Sequence, residues 1–339
     1  MYPPIRSLLF RLDPERAHAL TLAALRLPLA EVILQALFEV NEPRLAVEAF
    51  GVRFRNRVGL AAGYDKNGVA VNGLAALGFG HIEVGTVTRL PQPGNPGPRV
   101  HRVPEARAVV NAMGFPNDGV EALRVASGKW KVGPLSTRDP PRVGINIGKG
   151  RDTPLERAAE DYCALLERVH DRADYVAVNL SSPNTPGLRQ LQTRAFIEEL
   201  LRAITATRDR LPKRVSLLVK LAPDLTEAEL DDALAAATAC GIDGLIATNT
   251  TVSRDGLPGH AQALKGGLSG EPLRARATEV IRYLARRTAL PIIGVGGILC
   301  AADAVEKLDA GATLIQVYTG MIYSGPGLAK SINLRLREA

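Results

Sequence analysis

Val215-Ser-Leu-Leu-Val-Lys-Leu221, followed by residues 227–240 and then by Gly244-Leu-Ile-Ala-Thr248, is the stretch that decides the fold. Both flanking runs are almost continuously apolar rather than alternating, as a parallel strand buried on both faces requires. The segment between them has helical spacing, so the three pieces form one β-α-β unit. Working outward, residues 58–62, 81–85, 143–147, 175–180, 291–295 and 313–318 read as strands of the same kind. Residues 155–170, 195–208 and 274–287 read as helices between them. About eight β/α units in this order predict an α/β fold, a closed (β/α)₈ barrel with its chemistry just after the strands. A doubly wound open sheet is the rival arrangement.

The 339 residues exceed the roughly 250 of a typical barrel, which leaves room for an appendage and an insertion. The insertion falls at about 88–142 and includes the turn-rich run Pro91-Gln-Pro-Gly-Asn-Pro-Gly-Pro98. A connection this long at a barrel's C-terminal face is usually functional. The appendage is residues 1–40, which read as two short helices broken at Pro28, with Asp13 as N-cap and Pro14 in the first turn. Their wide apolar stripe suits either packing on the barrel or docking at a membrane surface. Residues 20–38 are too interrupted, by Arg26, Pro28, Glu31 and Gln35, to span a bilayer, and no secretory signal is evident.

Composition excludes little else. The net charge is +7, but Lys and Arg are interspersed with acids, as on a solvated mixed surface. Cys163, Cys240 and Cys300 form no CxxC pair, so neither a disulfide framework nor a metal site is supported. All three read as small packing residues in or beside helices.

The polar residues at the ends of the buried strands carry the chemistry. The first strand leads into Ala61-Ala-Gly-Tyr-Asp-Lys66, the second into Thr86, and the third ends at Asn146. The fourth runs into Asn179-Leu-Ser-Ser-Pro-Asn-Thr-Pro-Gly187, the fifth holds Lys220, and the sixth ends Thr248-Asn-Thr-Thr251. This is an amide-rich mouth with two lysines and no histidine. Neutral donors and acceptors in such number suit a flavin or pyrimidine edge. The last two strands end Gly294-Val-Gly-Gly297 and Tyr318-Thr-Gly320, where barrels commonly hold phosphate on glycine-exposed backbone N–H groups.

These motifs, together with Asn111-Ala-Met-Gly-Phe115, Gly144-Ile-Asn-Ile-Gly148 and Gly266-Gly-Leu-Ser-Gly270, resemble the dihydroorotate dehydrogenases over essentially the whole chain. The resemblance implies FMN across the barrel mouth, its phosphate at Gly270, Gly297, Tyr318 and Thr319. Ala62, Gly63, Lys66, Thr86, Asn146, Asn179, Lys220 and Thr248 would contact the rest of it. Dihydroorotate would be held by Lys66, Asn111, Ala112, Met113, Gly114, Phe115, Asn179, Asn184, Asn249 and Thr250. Ser182 would be the base taking the C5 proton as hydride leaves C6. Soluble relatives use cysteine there, so Ser182 and the N-terminal helices imply the quinone-reducing, membrane-associated class, at the cytoplasmic face of the cell membrane. Residues 1–40 would then associate with membrane and quinone, and 41–339 would form the FMN barrel, without a nucleic-acid partner.

The sequence departs from the family pattern at Ala112, where arginine is common, at Pro116, where asparagine is common, and at Thr319, where serine is frequent. Residues 185–192, with Arg189, form a candidate lid. A tRNA-modifying dihydrouridine synthase would need a cysteine acid near the flavin and a further domain, and a non-enzymatic phosphate-binding barrel would not explain the amides.

Overall fold

The computed structural model describes residues 2–125, 140–185, 187–192 and 194–338. The chain opens with α1 (Tyr2–Phe10), α2 (Pro14–Leu25) and α3 (Ala30–Phe38). A short hairpin follows, β1 (Val47–Ala49) against β2 (Val52–Phe54). Then come β3 (Val58–Leu60), α4 (Val71–Ala75), β4 (His81–Val87), the inserted β5 (Val100–Val103) and β6 (Ala108–Asn111), and β7 (Arg142–Ile147). The alternation continues through α5 (Ala158–Val169), β8 (Tyr175–Asn179), α6 (Arg194–Arg208), β9 (Ser216–Leu221), α7 (Glu227–Ala239) and β10 (Gly244–Ala247). The last elements are β11 (Gly267–Gly270), α8 (Arg274–Ala285), β12 (Ile292–Val295), α9 (Ala301–Asp309), β13 (Leu314–Val317), α10 (Thr319–Ser324) and α11 (Leu328–Arg337).

Eight parallel strands close in the order β3-β4-β7-β8-β9-β10-β12-β13, the barrel expected from the apolar runs. Residues of these strands are buried almost throughout, because helices cover the outer face and side chains fill the interior. The β1–β2 hairpin covers the N-terminal end, where Phe54 packs edge-on against His81. The C-terminal end is roofed by a second, antiparallel sheet of order β5-β6-β11. It joins the insertion to the connection after β10. Residues 126–139 of the insertion lie outside the described residues.

Local signals account for several boundaries. Asp13 caps α2, accepting from the N–H groups of Glu15 and Arg16, with Pro14 in the first turn. Thr226 and Glu229 form a reciprocal capping box at α7.

Two expectations are corrected. The first forty residues form three helices, not two: α1 begins at Tyr2-Pro3-Pro4, where prolines sit in a first turn whose N–H groups need no intrahelical partner. Cys300 is exposed at the start of α9, so it does not serve as core packing, whereas Cys240 is buried.

The N-terminal stripe is not consumed by the barrel. Ile5, Leu8, Leu20, Leu27, Leu29 and Ile33 are all more than half exposed. No single helix among the described residues is long and apolar enough to cross a membrane. The pair α2 and α3 is bent by 95° at its break.

Candidate active site

The floor of the barrel mouth is a buried polar network. Glu83, from the middle of β4, is wholly buried, and its Oε1 accepts from Asn146 Nδ2 at 2.8 Å and lies 3.4 Å from Lys220 Nζ. Its Oε2 accepts from Gln316 Nε2 at 2.8 Å and from the Tyr175 hydroxyl at 3.2 Å. Burial, reinforced by the Glu83 charge, pushes the Tyr175 phenol well above its ordinary pKa, so it stays a donor. One layer higher, Asn146 Oδ1 accepts from Thr86 Oγ1 at 2.6 Å and from Asn179 Nδ2 at 3.1 Å. A buried charge is tolerated when paired and fully hydrogen-bonded, and this one is.

Above the floor, three strand-end loops converge. Asn249 Nδ2 donates to Asn179 Oδ1 at 3.2 Å and to Ser181 Oγ at 3.0 Å. Asn184 Nδ2 donates to Asn111 Oδ1 at 3.1 Å, joining the β8 loop to the roof sheet. Ser182 is buried, with its hydroxyl oxygen accepting from the Asn184 N–H at 3.2 Å. The nearby Thr185 hydroxyl is buried without a protein partner. Lys66 Nζ donates to the Gly63 carbonyl at 2.7 Å, and burial lowers its pKa to about 8.

At the far end the backbone turns on glycines. Gly270, Gly296 and Gly297 have φ of +103°, +120° and +73°. A Cβ on Gly297 would lie 2.4 Å from the Arg274 backbone, so no other residue fits there without rearrangement. Thr319 Oγ1 is 2.8 Å from Ser269 Oγ.

One cavity of about 650 Å³ is lined by nearly every site residue the sequence nominates: Ser182, Ala62, Gly63, Lys66, Thr86, Asn179, Lys220, Thr248, Gly270, Gly297, Tyr318 and Thr319, with Asn111, Met113, Gly114, Phe115, Asn184, Asn249 and Thr250. Two nominated residues stand outside its lining. Asn146 is entirely buried behind Thr86 and Asn179 and acts through them. Ala112 spends its backbone on Arg99 and Asn95.

The same cavity continues to the N-terminal helices, where Tyr2, Phe10, His18 and Thr21 line it. The mouth therefore does hold a histidine. His18 comes from α2 rather than a strand end, packs edge-on to Tyr64 at 4.9 Å, and is held neutral by burial, its pKa lowered to about 4. No local motif marks it. Glu83 and Gln316 also escape sequence reading, since each sits inside an apolar strand. The described part of the candidate lid is packed down rather than free, with Leu188, Leu191 and Gln192 buried. Pro186 lies outside the described residues.

The family model for dihydroorotate dehydrogenase matches residues 44–339. The chain belongs to the dihydroorotate dehydrogenase family. It is thereby a flavin-dependent oxidoreductase. A protein of Anaeromyxobacter sp. (strain K) named dihydroorotate dehydrogenase (quinone) is 51% identical over 99% of this chain and 92% of its own length. The like-named protein of Roseiflexus sp. (strain RS-1) is 51% identical over 98% of the chain and 92% of its own. Among solved structures, the ligand-free dihydroorotate dehydrogenase of Eimeria tenella is similar at 36% identity and a TM-score of 0.87, covering 96% of this chain and 94% of that one. The same enzyme in complex with ferulenol gives a TM-score of 0.86.

Proposed function

We propose that this chain oxidises dihydroorotate to orotate in pyrimidine (UMP) biosynthesis with FMN as its flavin, and passes the electrons to a membrane quinone while bound peripherally at the cytoplasmic face of the cell membrane. The observation that carries the reading is one continuous cavity, which joins the amide-rich barrel mouth to helices whose outer face is apolar and exposed.

The residues present fit the cofactor. Thr248 Oγ1 is buried in the cavity lining without a protein partner. The glycines at 270, 296 and 297 leave a cradle in which backbone N–H groups can meet a phosphate. Ala62, Gly63, Thr86, Asn179, Lys220 and Thr248 would hold the ring and its chain, and Gly270, Gly297, Tyr318 and Thr319 the phosphate end. FMN, when bound, would supply a two-electron acceptor for the hydride from C6.

The protein's own work is binding, orientation and proton transfer. Asn111, Asn179, Asn184, Asn249 and Thr250 offer neutral donors and acceptors that match a pyrimidine edge, and Lys66 offers a cation for its carboxylate. Met113, Gly114 and Phe115 shape the wall. Ser182 Oγ removes the C5 proton. A serine hydroxyl is a weak base, so the proton must be passed onward, by way of the buried, partnerless Thr185 hydroxyl or a water. Lys220, with Glu83 behind it, would offer a positive charge to offset negative charge on a reduced flavin ring.

The test is the absorbance spectrum of purified protein before and after anaerobic dihydroorotate. A flavin band that bleaches, and that a long-chain quinone restores, is the expected result. A protein that binds no flavin, or whose flavin is untouched by dihydroorotate, refutes the reading.

A further inference from the structure

Three strand-end loops meet on one guanidinium outside the cavity. Arg189 Nε donates to the Ser181 carbonyl at 3.2 Å, and its Nη2 donates to the Thr250 carbonyl at 3.0 Å. Its Nη1 lies 2.7 Å from Asp224 Oδ2. Asp224 also accepts from the Thr251 hydroxyl and, at 3.2 Å, from the Val252 N–H. One planar group thus fixes the loop after β8, the loop after β9 and the loop after β10 relative to one another. Ser181 adjoins Ser182, and Thr250 lines the cavity, whereas Arg189 does not.

Stability alone is a poor explanation for this arrangement. Arg189 and Asp224 are 25% and 24% exposed, a setting in which ion pairs add little. The geometry is the informative part. Five N–H donors in a rigid plane can hold two carbonyls and a carboxylate at set angles, which a flexible ammonium cannot.

We propose that Arg189, oriented by Asp224, is a positioning residue that sets the distance between the Ser182 hydroxyl and the pyrimidine contacts at Asn249 and Thr250. The inference rests on the function proposed above. It assigns Arg189 to the reductive half of the cycle only, because nothing in its contacts reaches the N-terminal helices.

The experiment compares Arg189→Lys, Arg189→Ala and Asp224→Asn with wild type in four measurements on the flavin-loaded protein. These are anaerobic flavin reduction by dihydroorotate at several pH values, orotate affinity from the flavin spectral shift, reoxidation by quinone, and thermal melting. A misplacement of about 1 Å at a reacting pair can cost on the order of 100-fold, so reduction should slow by about 10- to 100-fold in both Arg189 variants. Orotate should bind more weakly, while quinone reoxidation and FMN content stay at wild-type values. Asp224→Asn should show the same pattern more mildly. Should the alanine variant fail to fold, the lysine variant decides.

Wild-type reduction and orotate affinity in Arg189→Lys overturn the proposal. So does a loss that falls equally on both half-reactions together with melting. If wild type itself is not reduced by dihydroorotate, the functional reading fails instead, and the two failures are distinct.

Discussion

Glu83 Oε1 and Lys220 Nζ stand 3.4 Å apart on facing strands of the barrel interior, each group almost completely shut from water. The carboxylate also takes hydrogen bonds from Asn146, Gln316 and Tyr175, so it is the hub of the buried polar network under the barrel mouth. Glu83→Gln removes the counter-charge and turns one acceptor into a donor facing other donors. Breaking a buried pair from one side costs about 3–5 kcal/mol, which chemical denaturation would register. The double variant Glu83→Gln, Lys220→Met should recover part of that loss. Stability of Glu83→Gln within about 0.5 kcal/mol of wild type, the range of ordinary surface changes, would dismiss the hub role.

Ser182→Ala should leave FMN bound and slow its reduction by dihydroorotate by about 10²–10⁴-fold, the usual worth of a general base. Ser182→Cys should keep more activity than the alanine variant, because a thiol can still accept the proton. Anaerobic stopped-flow absorbance measures both. An alanine variant reduced at the wild-type rate would move the base elsewhere.

Lys66 carries a pH signature. Burial lowers its pKa to about 8, so its ammonium is present below that pH and is lost as pH rises through it. Attraction for an anionic pyrimidine goes with the proton. For the free enzyme, kcat/KM for dihydroorotate should therefore fall above about pH 8. Lys66→Met should be weaker at neutral pH and should lack that alkaline limb. A limb that persists unchanged in the variant assigns it to another group.

Leu8, Leu27, Leu29 and Ile33 are 54–71% exposed, so replacing each by serine should change stability by no more than about 0.5 kcal/mol. The same four changes should abolish association with lipid vesicles and slow reoxidation by a long-chain quinone, while a small water-soluble acceptor is still reduced. Residues 1–40 carry four Arg against four acids, so detergent should detach the wild-type protein far better than salt does. Vesicle binding that survives the four replacements would refer these side chains to some other contact.

The barrel was legible because strands covered on both faces must be apolar along their length, and their polar ends then stand out. Lys66, Asn179, Ser182 and Thr250 declare themselves in that way. Glu83 does not: it sits mid-strand between Ile82 and Val84, and its partners are 63 to 233 residues away. β11 was equally hidden, because Gly-Leu-Ser-Gly has little strand preference and is held by its ladder to β6 and a bridge from Leu268 to Thr251. Ala112 stands apart from its motif neighbours in the cavity lining. It shares a motif with residues that line the cavity, while its own backbone is bonded to Arg99 and Asn95.

The roof sheet acts as a ruler. In its register Gly267 pairs with Asn111 and Gly270 pairs with Ala108, so one end of the ladder borders the proposed pyrimidine contacts and the other the proposed phosphate cradle. Three residues of extended chain measure roughly 10 Å, and no side chain sets that length. A point substitution in β6 or β11 changes what the ruler touches, whereas a single-residue deletion shortens it by about 3.4 Å and turns every later side chain to the opposite face. A one-residue deletion in either ladder segment would therefore displace both ends of the site relative to one another.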